Sequence, residues 1–174
     1  ARVFFEMDQL YKKLNRNPAE RLALLEQHAD LVSQRDDLTI ERISLLNLLG
    51  RHDEAFELLM ARNFHPWEGG EGKVTGQYVV CLVEKARQHL ANQQPQQAID
   101  CLEKAQIYPP NLGEGKLYGA QENQIFYWLG CANEMAQRLK PESTISQSPN
   151  LFEKAAVGLS EPTSAIFYND QPPD

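Results

Sequence analysis

Long apolar runs are missing from this 174-residue chain; the longest, Tyr78 to Val83, is far short of the roughly 20 residues a helix needs to cross a bilayer. No membrane partner is expected. Basic residues are in the minority, 17 Lys and Arg against 24 Asp and Glu, for a formal charge of -7. A surface that neutralises many phosphates needs the opposite balance, which argues against nucleic acid as a partner. Cysteine is scarce. Cys81, Cys101 and Cys131 are an odd number without C-x-x-C spacing, each in an apolar helical stretch, as fits reduced core thiols in a cytoplasmic protein. No pair of the histidines His28, His52, His65 and His89 is spaced i, i+4 and none has a partner cysteine, so no metal or cofactor is expected. Arrangements that would mark a nucleophile are also lacking, and no stretch alternates with period two for long. The chain begins at Ala1 without a secretory leader and reads as a piece of a larger protein.

What is present is repetition. With 42% apolar and 24% charged residues, the chain can bury one core of its own. An offset of 43 residues lays Ala55, Leu58 and Leu59 on Ala98, Cys101 and Leu102, Pro66 on Pro109, and Gly70-Glu71-Gly72-Lys73 on Gly113-Glu114-Gly115-Lys116. A third copy places Phe152 and Ala155 on Leu102 and Ala105 at an offset of 50, because of the extra polar stretch Lys140 to Pro149.

Within each copy the period is helical. Apolar residues at 38, 40, 43, 45, 46, 48 and 49 predict an amphipathic helix, with Asp37 before it as the cap. Gly50 to Asp53 predicts a tight turn, and Glu54 to Ala61 the returning helix. Val74 to Ala91 and Gln96 to Ala105 form a second pair, with Pro95 near a first helical position. Val3 to Leu14 with Pro18 to His28, and Glu122 to Leu139 with Asn150 to Val157, complete four pairs. The small residues Ala55 and Ala98 let each second helix approach its first closely.

Leu49-Gly50-Arg51-His52-Asp53-Glu54-Ala55, Pro95-Gln96-Gln97-Ala98 with Leu102 and Ala105, and Tyr127-Trp128-Leu129-Gly130 resemble the tetratricopeptide repeat over most of the chain, with loops that lengthen its usual period of about 34 residues. The resemblance implies an all-α, right-handed superhelical solenoid of antiparallel helix pairs that binds a partner protein or peptide along its concave face. The connecting segments Gln34 to Thr39, Phe64 to Gly72, Pro110 to Gly115 and Tyr168 to Pro173 are similar to the repeat half of uncharacterised bacterial proteins in which a galactose-mutarotase-like β-sandwich precedes the helices. That implies a missing N-terminal domain of the same protein as a candidate partner, and a carbohydrate-related context.

Two regions carry candidate chemistry. Gly69 to Thr75 resembles a phosphate-binding loop, but Trp67 replaces the first glycine, Val74 separates Lys73 from Thr75, and Glu68 and Glu71 would repel phosphate. The same loop gathers His65, Trp67, Glu68 and Glu71, with Glu114 one repeat on: an imidazole, an indole and carboxylates that could stack a sugar and act as acid and base. Packing by Phe64, Pro66 and Trp67 is the favoured reading of that loop, and a helix start that of Asp36-Asp37.

The second region is the expected groove. Repeat register places Asp37, Glu41, Ser44 and Asn47 from one pair, Val80, Glu84 and Arg87 from the next, and Asn123 and Tyr127 from the last along it. Repeats that hold C-terminal carboxylates use Lys, Asn and Arg there; Ile40, Ser44 and Val83 depart from that cluster, leaving Arg87 as the main cation. A polar or basic segment suits such an acidic groove. Ala165-Ile166-Phe167-Tyr168, at an incomplete last repeat, suggests self-association through that end. The expectation is therefore a non-enzymatic binding module; the alternative is an accessory part of a carbohydrate-active enzyme using the His65 to Glu71 loop.

Overall fold

The computed structural model describes residues 1–118, 120 and 122–139. Among them the chain is all-helical and has no strand. The helices are α1 (Arg2–Lys13), α2 (Pro18–Gln27), α3 (Ala29–Val32), α4 (Asp36–Leu48), α5 (His52–Met60), α6 (Lys73–Ala91), α7 (Pro95–Lys104) and α8 (Asn123–Arg138), with a 3-10 turn at Pro110–Leu112. The expected helix at Asn150 to Val157 and the apolar end at Ala165 to Tyr168 lie outside the described residues.

Three hairpin turns are built alike. At Asn15, Gly50 and Gln93 the backbone takes a positive φ of 51°, 78° and 57°. In each, the next N–H reaches back to close the helix: Arg16 to the Tyr11 carbonyl, Arg51 to Leu46 and Gln94 to His89, at 2.8–3.0 Å. Pro18 and Pro95 then open the following helices at a position whose N–H would be orphaned anyway, and Asn17 caps Ala19 N–H at 2.9 Å. The second and third turns stand at the repeat offset, so the sequence repetition there is a repetition of structure.

Packing follows chain order. Helix α5 lies against α4 and α6, α7 against α6 and α8, while α4 touches α6 and α6 touches α8. The small residues Ala55, Ala98 and Ala132 are wholly buried where helices meet, with Leu59 and Leu102 beside the first two in sequence and equally buried. Cys81 is buried with them; Cys101 and Cys131 are only half-buried, and all three are free thiols. At the other end, α1 is held through side chains. Phe4 meets the His28 ring edge-on at a centroid distance of 5.1 Å, and Arg35 lies 5.7 Å from the Phe5 ring.

Two sequence expectations need correcting. Helix α4 starts at Asp36 rather than after Asp37, and Arg35 is its cap residue. The single turn of α3 follows α2 where periodicity predicts no separate helix. The repeated Gly-Glu-Gly-Lys has different surroundings in its two copies: Lys73 opens α6, whereas Lys116 lies in irregular chain and pairs with Glu122 at 2.6 Å, and α8 opens at Asn123, next to its expected start.

Candidate functional site

Helices α4 and α6 flank an open depression of about 470 Å³ lined by Ser44, Asn47, Leu48, Gln77, Val80 and Glu84, among others. The structure thus brings together Ser44, Asn47 and Glu84 of the expected groove, with Val80. Leu48 (68% exposed) and Val80 (39%) give the depression apolar rims. Asn47 is a rivet beneath it: its Nδ2 donates to Gln77 Oε1 at 2.9 Å, while its Oδ1 accepts from the Cys81 thiol and lies 3.0 Å from His52 Nδ1. Ser44 donates to the Ile40 carbonyl at 2.8 Å. Further along, Arg87 pairs with Glu84 at 2.7 Å and its guanidinium lies 5.2 Å from the Trp128 ring centroid. Tyr127 (59% exposed) and Asn123 are open to solvent on α8.

Two of the expected acids are used elsewhere. Glu41 is buried and accepts from Lys12 at 2.9 Å and Arg21 at 3.2 Å. Arg21, also buried, forks onto Asp8 at 3.0 and 2.7 Å. Asp37 takes a fork from Arg35 at 2.9 and 2.5 Å and also accepts from Leu38 N–H. The depression is therefore more apolar and less acidic than register alone suggests, with Glu84 as its carboxylate.

Sequence reasoning missed that His52, Asn47 and Cys81 meet, because the meeting joins three helices. The trio does not make a nucleophile. Burial pushes the Cys81 thiol up to about 11, and the Asn47 contact and the Lys85 charge offset this only in part. At neutral pH it stays protonated, and the thiolate is the reactive form. Iodoacetamide at about pH 8 is expected to leave Cys81 unmodified in the folded protein and to label it in denaturant, as peptide mass spectrometry would show. Since folding raises this pKa, its contribution to stability is complete below the unfolded value of about 8.5 and disappears as pH rises towards 11.

A second cleft, of about 270 Å³, lies where the α5–α6 loop meets the α7–α8 loop. His65, Trp67, Glu68, Glu71 and Glu114 all line it. The loops are pinned together. Phe64 N–H donates to the Asn111 carbonyl at 2.8 Å, and Asn111 Nδ2 donates to the Leu59 and Arg62 carbonyls at 2.9 and 3.0 Å, satisfying the end of α5. Asp36 holds the loop from below: it accepts from His65 N–H at 2.9 Å and pairs with Arg62. Partial burial alone would raise the Asp36 carboxyl, but those hydrogen bonds outweigh it and hold the pKa below the ordinary range. The stability it contributes is present above an unfolded pKa of about 3.9 and is lost as pH falls through the folded value.

Glu114 settles what the glycine-rich segment does. Its carboxylate accepts from Gly72 N–H at 3.0 Å, Thr75 N–H at 3.3 Å and the Thr75 hydroxyl at 3.1 Å, and so occupies the N-terminus of α6. A phosphate would have to displace this carboxylate from the place where helix N–H groups attract anions. Glu114→Ala should cost about 1 kcal/mol, as for loss of a helix cap, read as a lower urea midpoint with faster amide exchange in the first turn of α6.

Glu68, Glu71 and Glu114 therefore do converge beside Trp67, but Glu114 is committed to capping. Trp67 is half-buried and packed against the core. Glu68 and Glu71 are exposed. Among the described residues no group of three or more His, Cys, Asp or Glu side chains could hold a metal ion, and no helix is long and apolar enough to cross a membrane. Compared with known proteins, the chain matches no protein-family model and no solved structure.

Proposed function

We propose that this chain is a tetratricopeptide-like interaction module, a right-handed solenoid of stacked helix pairs that binds an extended protein segment across α4, α6 and α8 and catalyses no reaction. One observation carries the reading. The depression between α4 and α6 opens an apolar rim, Leu48 and Val80, over a fixed amide pair, Asn47 and Gln77. An extended peptide needs both: a place for a side chain and a polar group for its backbone, here the Gln77 amide that Asn47 holds in place. The packing order, in which α4 touches α6 and α6 touches α8, supports the stacking, and the three like turns support the repeat unit. With Glu41, Asp37 and Glu84 all drawn into ion pairs, the segment that fits is apolar at its centre. It belongs to a cytoplasmic partner or to another domain of the same protein.

Leu48 and Val80 are exposed, so replacing both by Asp leaves the core untouched. The Leu48→Asp, Val80→Asp variant should melt with the parent yet lose co-purification of the partner from cells, at a cost in affinity of about 2 kcal/mol or more. Met60→Asp, on α5, should retain it. Equal retention by both variants would refute the docking face.

A further inference from the structure

The cleft between the two loops is not used by the docking face, and its chemistry is one-sided. Three carboxylates line it with the indole of Trp67 and the imidazole of His65, and among the described residues no Lys, Arg, Asn, Gln, Ser or Thr contributes. Glu114 is spent on α6. Glu68 and Glu71 have no hydrogen-bond or ion-pair partner among the described residues. The indole is fixed before any ligand arrives: it lies directly on Gly70, where a Cβ would overlap its ring atoms, and Gly70 N–H closes the turn onto the Trp67 carbonyl at 3.0 Å.

The donor and acceptor balance selects the occupant. A neutral sugar carries donors and acceptors and requires both in return, whereas these side chains offer acceptors with only the indole and imidazole N–H groups to donate. A guanidinium group offers donors alone, carries the charge that two free carboxylates lack, and stacks its plane on an indole. The chain's charge of -7 also draws in a basic partner. We infer that this cleft binds an arginine side chain of a partner polypeptide, with the guanidinium over Trp67 and its N–H groups towards Glu68 and Glu71. The site stands apart from the α4–α6 depression, so either can fail without the other.

The test is a titration of the full 174-residue chain, followed through the indole N–H resonances of Trp67 and Trp128. The probes are acetyl-Gly-Arg-Gly-amide, the same peptide with neutral citrulline for arginine, and methyl galactoside. The arginine peptide should shift the Trp67 resonance saturably and leave Trp128 in place. Citrulline should bind roughly tenfold more weakly or worse, and a Glu68→Gln, Glu71→Gln double variant should show a similar loss for arginine. Both carboxylates are exposed, so that variant should melt normally. The inference is overturned if citrulline or the galactoside moves Trp67 as strongly as arginine, if the double variant binds arginine unchanged, or if Trp67 does not respond.

Discussion

Arg21→Met is expected to cost about 3–5 kcal/mol of folding stability, because it strands buried carboxylates without their counter-ion. Arg21 and Asp8 are almost wholly buried, and Glu41 nearly so. Burial alone would lower the Arg21 pKa, but the hydrogen bonds and charges of Asp8 and Glu41 overcome this and raise it. Methionine matches the stem and removes the charge. Among the described residues Asp8 is then left with no counter-ion at the α1–α2 junction, and Glu41 keeps only Lys12, whose side chain is half exposed. Urea denaturation should show the loss. Changing Asp8→Asn and Glu41→Gln in the same protein should recover much of it, since the cost lies in stranded charge rather than in shape. If Arg21→Met alone costs under about 1 kcal/mol, the network is not closed to water as described.

Gly113→Ala should cost about 2–4 kcal/mol and loosen the loop cleft with it. Gly113 has a φ of 74°, a conformation that strains any residue with a Cβ, and the added carbon would overlap the Phe64 carbonyl oxygen. That oxygen belongs to backbone, so it cannot swing aside as a side chain would. The two loops must then separate, stretching Phe64 N–H from Asn111 and drawing Glu114 off the start of α6. Gly115→Ala is the control. Nothing lies within reach of a Cβ there, and the melt should stay within about 0.5 kcal/mol of the parent.

Both sites separate what a sequence makes legible from what it does not. Helix positions, turns and buried alanines are legible because 3.6-residue periodicity, Gly, Pro and small residues act locally. Asn15 and Gln93, with left-handed backbone at non-glycine positions, close their turns as Gly50 does. Register places Glu41 in the groove, yet the partners that turn it inward, Lys12 and Arg21, come from α1 and α2. Asp36 and Asp37 are legible as the acids of a helix start, but not the reach of Asp36 to His65 and Arg62 across the next hairpin. Glu114 falls in the same class. One repeat back, Glu71 lines the cleft and has no partner among the described residues, so identical motif letters do different jobs once loop lengths differ.

The proposed face across α4, α6 and α8 would bind an extended polypeptide. It is tested most directly by selecting peptides from a random display library against the 174-residue chain and mapping them by amide chemical shifts. For selected peptides without arginine, shifts confined to Ser44, Leu48, Gln77, Val80 and Tyr127 are the predicted result. A library that yields no saturable binder, or binders whose shifts fall on α5 and α7 instead, would contradict it.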